Sequence, residues 1–85
     1  MPYKKVIDTA RAYDTTLRAD DERFNFSVRV MLDDGAFFFY PSAFIHKFDD
    51  NFYCVFTEHY NFHVYHIDDL VAIDEYKQTS REEIE

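Results

Sequence analysis

Four aromatic residues in a row, Phe37 to Tyr40, constrain the fold of this chain more than any other feature of its sequence. They follow Asp33-Asp34-Gly35, which has the composition of a tight hairpin turn, so we expect them to form the returning strand. Successive side chains of a strand point to opposite faces, so both faces of this strand need a cover. We expect two of the rings to fill the core of a sheet and two to lie under a helix.

The first 20 residues are predicted to contain that helix. Its apolar stripe, at spacings of four, three and four, is Val6, Ala10, Tyr13 and Leu17. Asp14 and Arg18 are expected to pair on the surface of the same helix. Thr9, Thr15 and Thr16 disfavour a helix because β-branched side chains lose rotamer freedom there, so an edge strand is the alternative.

Residues 23–76 are predicted to form an antiparallel sheet, residues 77–85 a polar tail, and residues 1–85 one domain. Alternating apolar residues from Phe24 to Leu32 are typical of a half-buried strand, and the continuous apolar run from Phe52 to Phe56 is typical of a strand covered on both faces. Pro41 ends the strand of rings. The predicted class is α+β, mainly antiparallel β: an N-terminal helix and a five- or six-stranded meander that forms a strongly bent sheet or a small barrel.

The order of these segments resembles that of the Sm-like and SH3-like small barrels. The helix is followed by VRVMLDDG, DDNFYCVF and HIDDLVAIDEY, and Asp68-Asp69-Leu70 looks like the single helical turn that often precedes the last strand of such barrels. The resemblance implies a barrel topology. Sm-like proteins bind RNA through a loop with Asp and Asn, where Asp49 and Asn51 could be placed, but the second glycine of that pattern is absent and the spacing is longer.

The charge of the chain argues against RNA and against other polyanions. Seventeen acidic residues against nine basic ones give a net charge of −8, which repels phosphate backbones and anionic membranes. A single cysteine, Cys54, allows no internal disulfide, and no segment has the composition of a signal peptide or a membrane span. We therefore expect a cytoplasmic protein that binds neither nucleic acid nor membrane directly.

No cofactor, metal site or enzyme activity is predicted. The four histidines, at positions 46, 59, 63 and 66, do not converge under simple strand alternation. Cys54 lies in the most apolar segment, where a thiol usually behaves as a small hydrophobe. Adjacent carboxylates such as Asp33-Asp34 diverge in a turn and do not form the converging pair that general acid and base catalysis needs.

The acidic residues recur as pairs at strand ends, and the chain has 17 aromatic rings, more than a core of this size normally hides. Carboxylates steer a basic partner, and rings supply contact energy. The predicted function is a small acidic binding module that inhibits or regulates a basic nucleic-acid-handling protein such as a nuclease, as phage-type nucleic-acid mimics and immunity proteins do. The residues expected to contact the partner are Asp33, Asp34, Asp49, Asp50, Asp68, Asp69, Tyr40, Tyr53, Tyr60 and Tyr65.

Two other functions are consistent with the same residues, and so is an explanation of the acidic residues by solubility alone. The chain could be a structural or adaptor barrel that self-associates as a homodimer, with the second face of the aromatic strand covered by a copy of itself. It could also hold a small apolar or cationic ligand among its rings. Finally, acidic turns could serve solubility alone, since net charges of this size are ordinary for small domains.

Overall fold

The computed structural model describes residues 3–18, 20–58 and 61–77. These residues form one α-helix and six strands, with short 3-10 turns before the first and the last strand. The elements are α1 (Tyr3–Asp14), a 3-10 turn (Glu22–Asn25), β1 (Phe26–Leu32), β2 (Phe37–Tyr40), β3 (Ala43–Phe48), β4 (Phe52–Thr57), β5 (Asn61–His66), a 3-10 turn (Ile67–Asp69) and β6 (Leu70–Lys77). The predicted α+β class is confirmed. None of the helical segments described is both long and apolar enough to cross a membrane.

The strands form two antiparallel sheets of three strands each, in the orders β2-β1-β6 and β3-β4-β5. The chain passes from the first sheet to the second at Pro41 and Ser42, because proline cannot donate to a strand ladder. Within the described residues no ladder joins the two sheets. The closed SH3-like or Sm-like barrel is therefore not confirmed, and two packed sheets replace the single bent sheet that we expected.

Strand β4 lies at the centre of the molecule, and its side chains alternate between two apolar clusters. Phe52, Cys54 and Phe56 face α1, whereas Val55 faces the first sheet. The prediction that this segment is covered on both faces is confirmed. The cluster toward α1 comprises Val6, Ala10, Leu17, Phe24, Phe44, Phe48, Phe52, Cys54 and Phe56. The cluster between the sheets comprises Val28, Val30, Ala43 and Val55.

Helix α1 is shorter than the predicted 1–20 segment and ends at Asp14. The hydroxyls of Thr15 and Thr16 donate to the carbonyl oxygens of Ala12 and Tyr13 at 2.7 and 2.6 Å. These bonds satisfy carbonyls of the last turn and let the chain leave the helix. The predicted apolar stripe does face the core, but its last member, Leu17, is buried from the turn that follows the helix.

The position at which α1 ends also removes the predicted Asp14–Arg18 pair. Arg18 lies outside the helix, where its Nε is 3.5 Å from Oδ1 of Asp20. Asp14 is instead buried, with 7% of its surface exposed and its Oδ1 without a hydrogen-bond partner. Burial raises the pKa of its carboxyl group above the ordinary 3.8, and a negative charge at the end of a helix is also unfavourable.

We expect Asp14→Asn to stabilise the protein by about 1 kcal/mol at neutral pH. A carboxyl group whose pKa is raised in the folded state destabilises the fold above that pKa, and the penalty disappears as the pH falls to the ordinary value of 3.8. The advantage of the variant should therefore be largest at neutral pH and shrink toward pH 4. Urea unfolding of the native protein and the variant between pH 7 and pH 4 measures the difference in stability. An advantage of the variant that grows on acidification would contradict the prediction.

Strand β1 begins later than the alternating pattern suggested, because Glu22–Asn25 form a 3-10 turn capped by Asp21. The Asp21 side chain accepts from the amide of Arg23 at 2.9 Å and from the Arg23 guanidinium at 3.0 and 2.8 Å. The same guanidinium donates to the Tyr13 hydroxyl at 2.6 Å and lies 4.4 Å from the centre of the Phe44 ring. Hydrogen bonds from Arg23 lower the pKa of Asp21 to about 2. This network ties the end of α1 to β1 and β3.

The aromatic strand β2 is not covered as we expected. Phe38 and Tyr40 point toward the second sheet, where the ring centres of Phe38 and Tyr65 are 6.3 Å apart and Tyr40 stacks on His63 at 4.8 Å. The prediction that α1 lies over the other two rings is wrong, because α1 packs against the far side of the second sheet. Phe37 and Phe39 consequently remain 53% and 55% exposed.

Candidate binding surface

Three acidic turns meet at one end of the molecule. They are Asp33-Asp34-Gly35 between β1 and β2, Asp49-Asp50-Asn51 between β3 and β4, and Ile67–Asp69 between β5 and β6. Two backbone hydrogen bonds link them: the Asp33 amide donates to the Asp69 carbonyl at 2.9 Å, and the Ile67 amide donates to the Asn51 carbonyl at 2.8 Å. We call this surface the acidic end; its carboxylates are those of Asp33, Asp34, Asp49, Asp50, Asp68 and Asp69.

The first acidic turn has the predicted geometry. Gly35 has φ of 91°, a conformation that favours glycine, and its amide donates to the Leu32 carbonyl at 3.0 Å. The Asp34 carboxylate accepts from the Ala36 amide at 2.9 Å, a local bond that fixes the turn. Asp33 is exposed beside it. The turn therefore presents the Asp33 carboxylate while using that of Asp34 to hold its shape.

The second acidic turn contains the one non-glycine residue of the described chain with positive φ, Asp49 at 58°. Aspartate tolerates this left-handed conformation better than most residues because its short side chain can hydrogen-bond locally. The Asp49 carboxylate accepts from the amide of Asp50 at 2.8 Å. Asp50 and Asn51 are exposed next to it, so this turn also displays acidic and polar groups outward.

The third acidic turn confirms the single helical turn that the sequence predicted before the last strand. Nδ1 of His66 caps it by accepting from the Asp68 amide at 3.0 Å. The Asp68 carboxylate lies farther away, at 3.5 Å from the same nitrogen. The closer contact of Nδ1 is thus with the backbone of Asp68, and the Asp68 side chain is 84% exposed.

Lysines lie at the border of the acidic end. The three turns hold six aspartates and no lysine or arginine. The Tyr3 ring lies 5.9 Å from that of Phe52, which brings the first turn of α1, with exposed Lys4 and Lys5, to the rim. Lys47 lies over the Tyr53 ring at 5.7 Å. The six aspartates of the three turns outnumber these bordering lysines, so the acidic end is net negative.

The tyrosines predicted as contact rings have different surroundings. Tyr40 and Tyr65 are half-buried between the sheets, and their hydroxyls share a hydrogen bond. Burial raises the pKa of both phenols. Tyr53 is half-buried on β4 opposite Tyr65, and Tyr60 lies outside the described residues. Tyr40 and Tyr65 thus join the sheets and leave little ring surface for a partner.

Two features of the surface were not expected from the sequence. The first is that Phe37, Phe38 and Phe39 are all exposed; the signal for exposed rings was their surplus over what a small core can hide, but it did not identify this strand. The second is that all three acidic turns share one end. Alternate connections of an antiparallel meander lie at the same end, and the Asp pairs occupy the first, third and fifth connections. The shared position of the three turns could therefore have been predicted from the order of the strands.

The described residues offer little for chemistry at a metal or a nucleophile. Among residues 3–18, 20–58 and 61–77, no three His, Cys, Asp or Glu side chains gather into a metal-ligand set. Burial raises the pKa of the Cys54 thiol to about 12, so it stays protonated at neutral pH. A groove of about 370 Å³ lies between α1 and β5, lined by Tyr3, Ile7 and Arg11 on one side and by residues 62–65 on the other. A small-ligand site there stays a prediction.

Comparison with known proteins adds no assignment: no protein-family model, no curated protein and no solved structure matches this chain.

Proposed function

We propose that this protein binds a basic, nucleic-acid-handling protein through its acidic end and blocks the phosphate-binding surface of that partner. The observation that carries the proposal is the meeting of three acidic turns at one end. The tyrosines contribute less than the sequence suggested, because two of them are engaged between the sheets. The acidic end is therefore the principal contact surface.

The carboxylates act together because the turns that bear them adjoin. The 2.9 Å bond between the Asp33 amide and the Asp69 carbonyl keeps these two residues well within the Debye length of ~8 Å at physiological salt. Charges this close produce a common field that steers a basic protein to the surface and disfavours acidic ones. Neutral turns of the same shape would have the same backbone bonds without this field.

The acidic end also has the rigidity that a mimic of a phosphate backbone needs. Each turn is fixed by local bonds, including Asp34 to the Ala36 amide, Asp49 to the Asp50 amide and His66 to the Asp68 amide. Preorganised charges lose little conformational freedom on binding, which favours affinity. A net charge of −8 directs such a surface to the basic proteins that bind nucleic acid and away from nucleic acid itself.

The order of the elements supports our reading of the fold as an open relative of the Sm-like and SH3-like barrels. The last strand follows a 3-10 turn and pairs with the first strand, with Leu70 opposite Leu32. In this reading the corner at Pro41 and Ser42 divides one long bent strand into β2 and β3. The proposed binding surface lies on the turns and does not depend on closure of the sheet.

The proposal is tested by affinity capture from a lysate of the organism that encodes the protein. The immobilised protein should retain a basic protein at low salt, and duplex DNA added as competitor should release it. Asp33→Asn/Asp34→Asn should retain about tenfold less, because asparagine keeps the acceptor for the Ala36 amide but removes both charges. Asp20→Asn/Glu22→Gln removes two charges near the other end of β1 and should retain the normal amount.

Two results would contradict the proposal. One is a captured protein that duplex DNA does not displace, since its phosphate-binding surface would then be free. The other is an equal loss of capture in both double variants, since total charge rather than the acidic end would then determine binding. Circular dichroism of each variant establishes that the fold is retained.

A further inference from the structure

Strand β2 carries the largest group of exposed aromatic residues in the described chain. Phe37, Phe38 and Phe39 are 53%, 42% and 55% exposed, although they belong to a regular strand. Their rings point to both faces of the sheet, since Phe38 faces the second sheet and its two neighbours face outward. A partner that packs on one face of the sheet would leave the rings of the other face in water. A partner that pairs along the edge of the strand can contact all three rings.

Among residues 3–18, 20–58 and 61–77, no strand pairs with the backbone groups along that edge. β2 is the first strand in the order β2-β1-β6, so it has a ladder on one side. The Leu32 amide donates to the Ala36 carbonyl at 2.8 Å, which begins the ladder with β1. Hydrogen-bonded positions alternate in an antiparallel pair, so Phe38 and Tyr40 bond to β1 while the amides and carbonyls of Phe37 and Phe39 point outward.

The other edge strands are protected. The Glu75 carboxylate accepts from the Ile45 amide at 2.7 Å and so occupies the edge of β3. β6 carries Asp74, Glu75 and Lys77, and charged residues discourage pairing at a sheet edge. On β5, the side chains of Phe62 and Val64 pack into the cluster toward α1, so this strand has no row of exposed rings. β2 has neither a charge nor a proline within it. An apolar edge of this kind in a natural protein is expected to be an interface.

We propose that β2 pairs with β2 of a second copy of this chain, antiparallel about a two-fold axis at Phe38. The two three-stranded sheets then form one sheet of six strands. Phe37 exchanges two backbone hydrogen bonds with Phe39 of the second copy, and Phe38 lies opposite Phe38 of the second copy. The rings of both copies become cross-strand neighbours, which is the arrangement in which aromatic pairs stabilise a sheet.

Charge favours a second copy as the occupant. The basic partner proposed for the acidic end has nothing to pair with on β2, because the strand is uncharged. On the outward face beside it, Arg29 lies opposite Asp74 in the ladder, so that face is neutral in a chain of charge −8. Antiparallel pairing also places the two Asp33-Asp34 turns at opposite ends of the new strand pair, whereas parallel pairing would bring them together.

The area that the three rings can bury sets the expected affinity of the dimer. Three half-exposed rings that bury ~150–250 Å² each when fully covered supply on the order of 300 Å² per copy. This is about half of what a specific interface buries on each partner. The dimer should therefore dissociate on dilution, and sedimentation should show a shift from dimer to monomer as the concentration falls.

The test is sedimentation equilibrium of the whole chain together with cysteine cross-linking. Phe38→Lys should raise the dissociation constant of the dimer at least about tenfold, because two like charges would face each other across the axis. Phe38→Cys should form a covalent dimer under mild oxidation, since the two copies of position 38 form a non-hydrogen-bonded pair with Cα atoms about 4.5 Å apart. Phe39→Cys is the matched control and should cross-link much less, because it lies opposite position 37 of the second copy.

Three outcomes would overturn the proposal: a native chain that is monomeric at every concentration, equal cross-linking at positions 38 and 39, or a dimer that Phe38→Lys leaves intact. Ala72→Lys distinguishes pairing of edges from packing of outward faces, because Ala72 is exposed on that face but lies on β6, away from the β2 edge. Its dimer should persist. If Phe38→Lys does not fold, the comparison of cross-linking in Phe38→Cys and Phe39→Cys tests the proposal instead. The native Cys54 does not interfere with it, because its buried thiol is shielded from the oxidant.

Discussion

Replacing Phe56 with Ala should lower the free energy of unfolding by about 3–5 kcal/mol, the cost of removing a fully buried ring from a close-packed core. Phe56 has no exposed surface, and its ring centre lies 5.0 Å from that of Tyr13 and 5.4 Å from that of Phe44. It therefore joins α1 to the second sheet, and the cavity left by Ala would be lined by residues that other elements hold in place. Urea unfolding followed by circular dichroism measures the loss.

The matched control for Phe56 is Phe39, the same residue type on an exposed strand. Phe39→Ala should change the free energy of unfolding by less than about 1 kcal/mol in a dilute, monomeric sample, because its ring is already 55% exposed. Similar losses for the two variants would show that β2 is covered in the monomer. This would contradict both the described packing and the proposed pairing of β2.

Reversing charge at the acidic end should slow association with the captured partner by about 10- to 100-fold at low salt. The variant is Asp33→Lys/Asp69→Lys, which keeps the Asp34 bond to the Ala36 amide and the His66 cap on the Asp68 amide. Stopped-flow or surface-based kinetics measure the association rate over a range of salt. The rate of the native chain should fall as salt rises, and that of the variant should change little.

Asp20→Lys/Glu22→Lys separates the effect of position from that of total charge. Both double variants change the net charge from −8 to −4, because each substitution adds two units. Asp20 and Glu22 are exposed near the start of β1, at the end opposite the acidic turns. If this control slows association as much as the variant at the acidic end, the local field is not the determinant of binding.

Local patterns in the sequence predicted local structure well. Gly35 marked the turn that needs positive φ, the apolar run from Phe52 to Phe56 marked the strand buried on both sides, and Asp68-Asp69 marked the helical turn before β6. Each of these depends on neighbouring residues alone. The end of α1 was misplaced because the hydroxyls of Thr15 and Thr16 compete for carbonyls that a longer helix would use.

The arrangement of the layers could not be predicted in the same way. Alternation shows which residues of β2 share a face, but it does not show what lies against that face, so Phe37 and Phe39 were assigned to a helix that packs elsewhere. The candidate site was predicted in part: its aspartates were identified, whereas the half-buried environment of Tyr40 and Tyr65 depends on how two sheets stack. That stacking follows from the corner at Pro41, whose direction the sequence does not specify.

The position of β4 between the two apolar clusters determines how the protein unfolds. Phe56 belongs to one apolar cluster and its neighbour Val55 to the other. Unfolding of β4 therefore disrupts both clusters at once. The helix layer and the first sheet should therefore unfold in one cooperative transition, with no stable half-unfolded form. Slowly exchanging amides on β1 and on β4 would then report the same opening free energy, and the acidic end would disappear in the same event as the core that supports it.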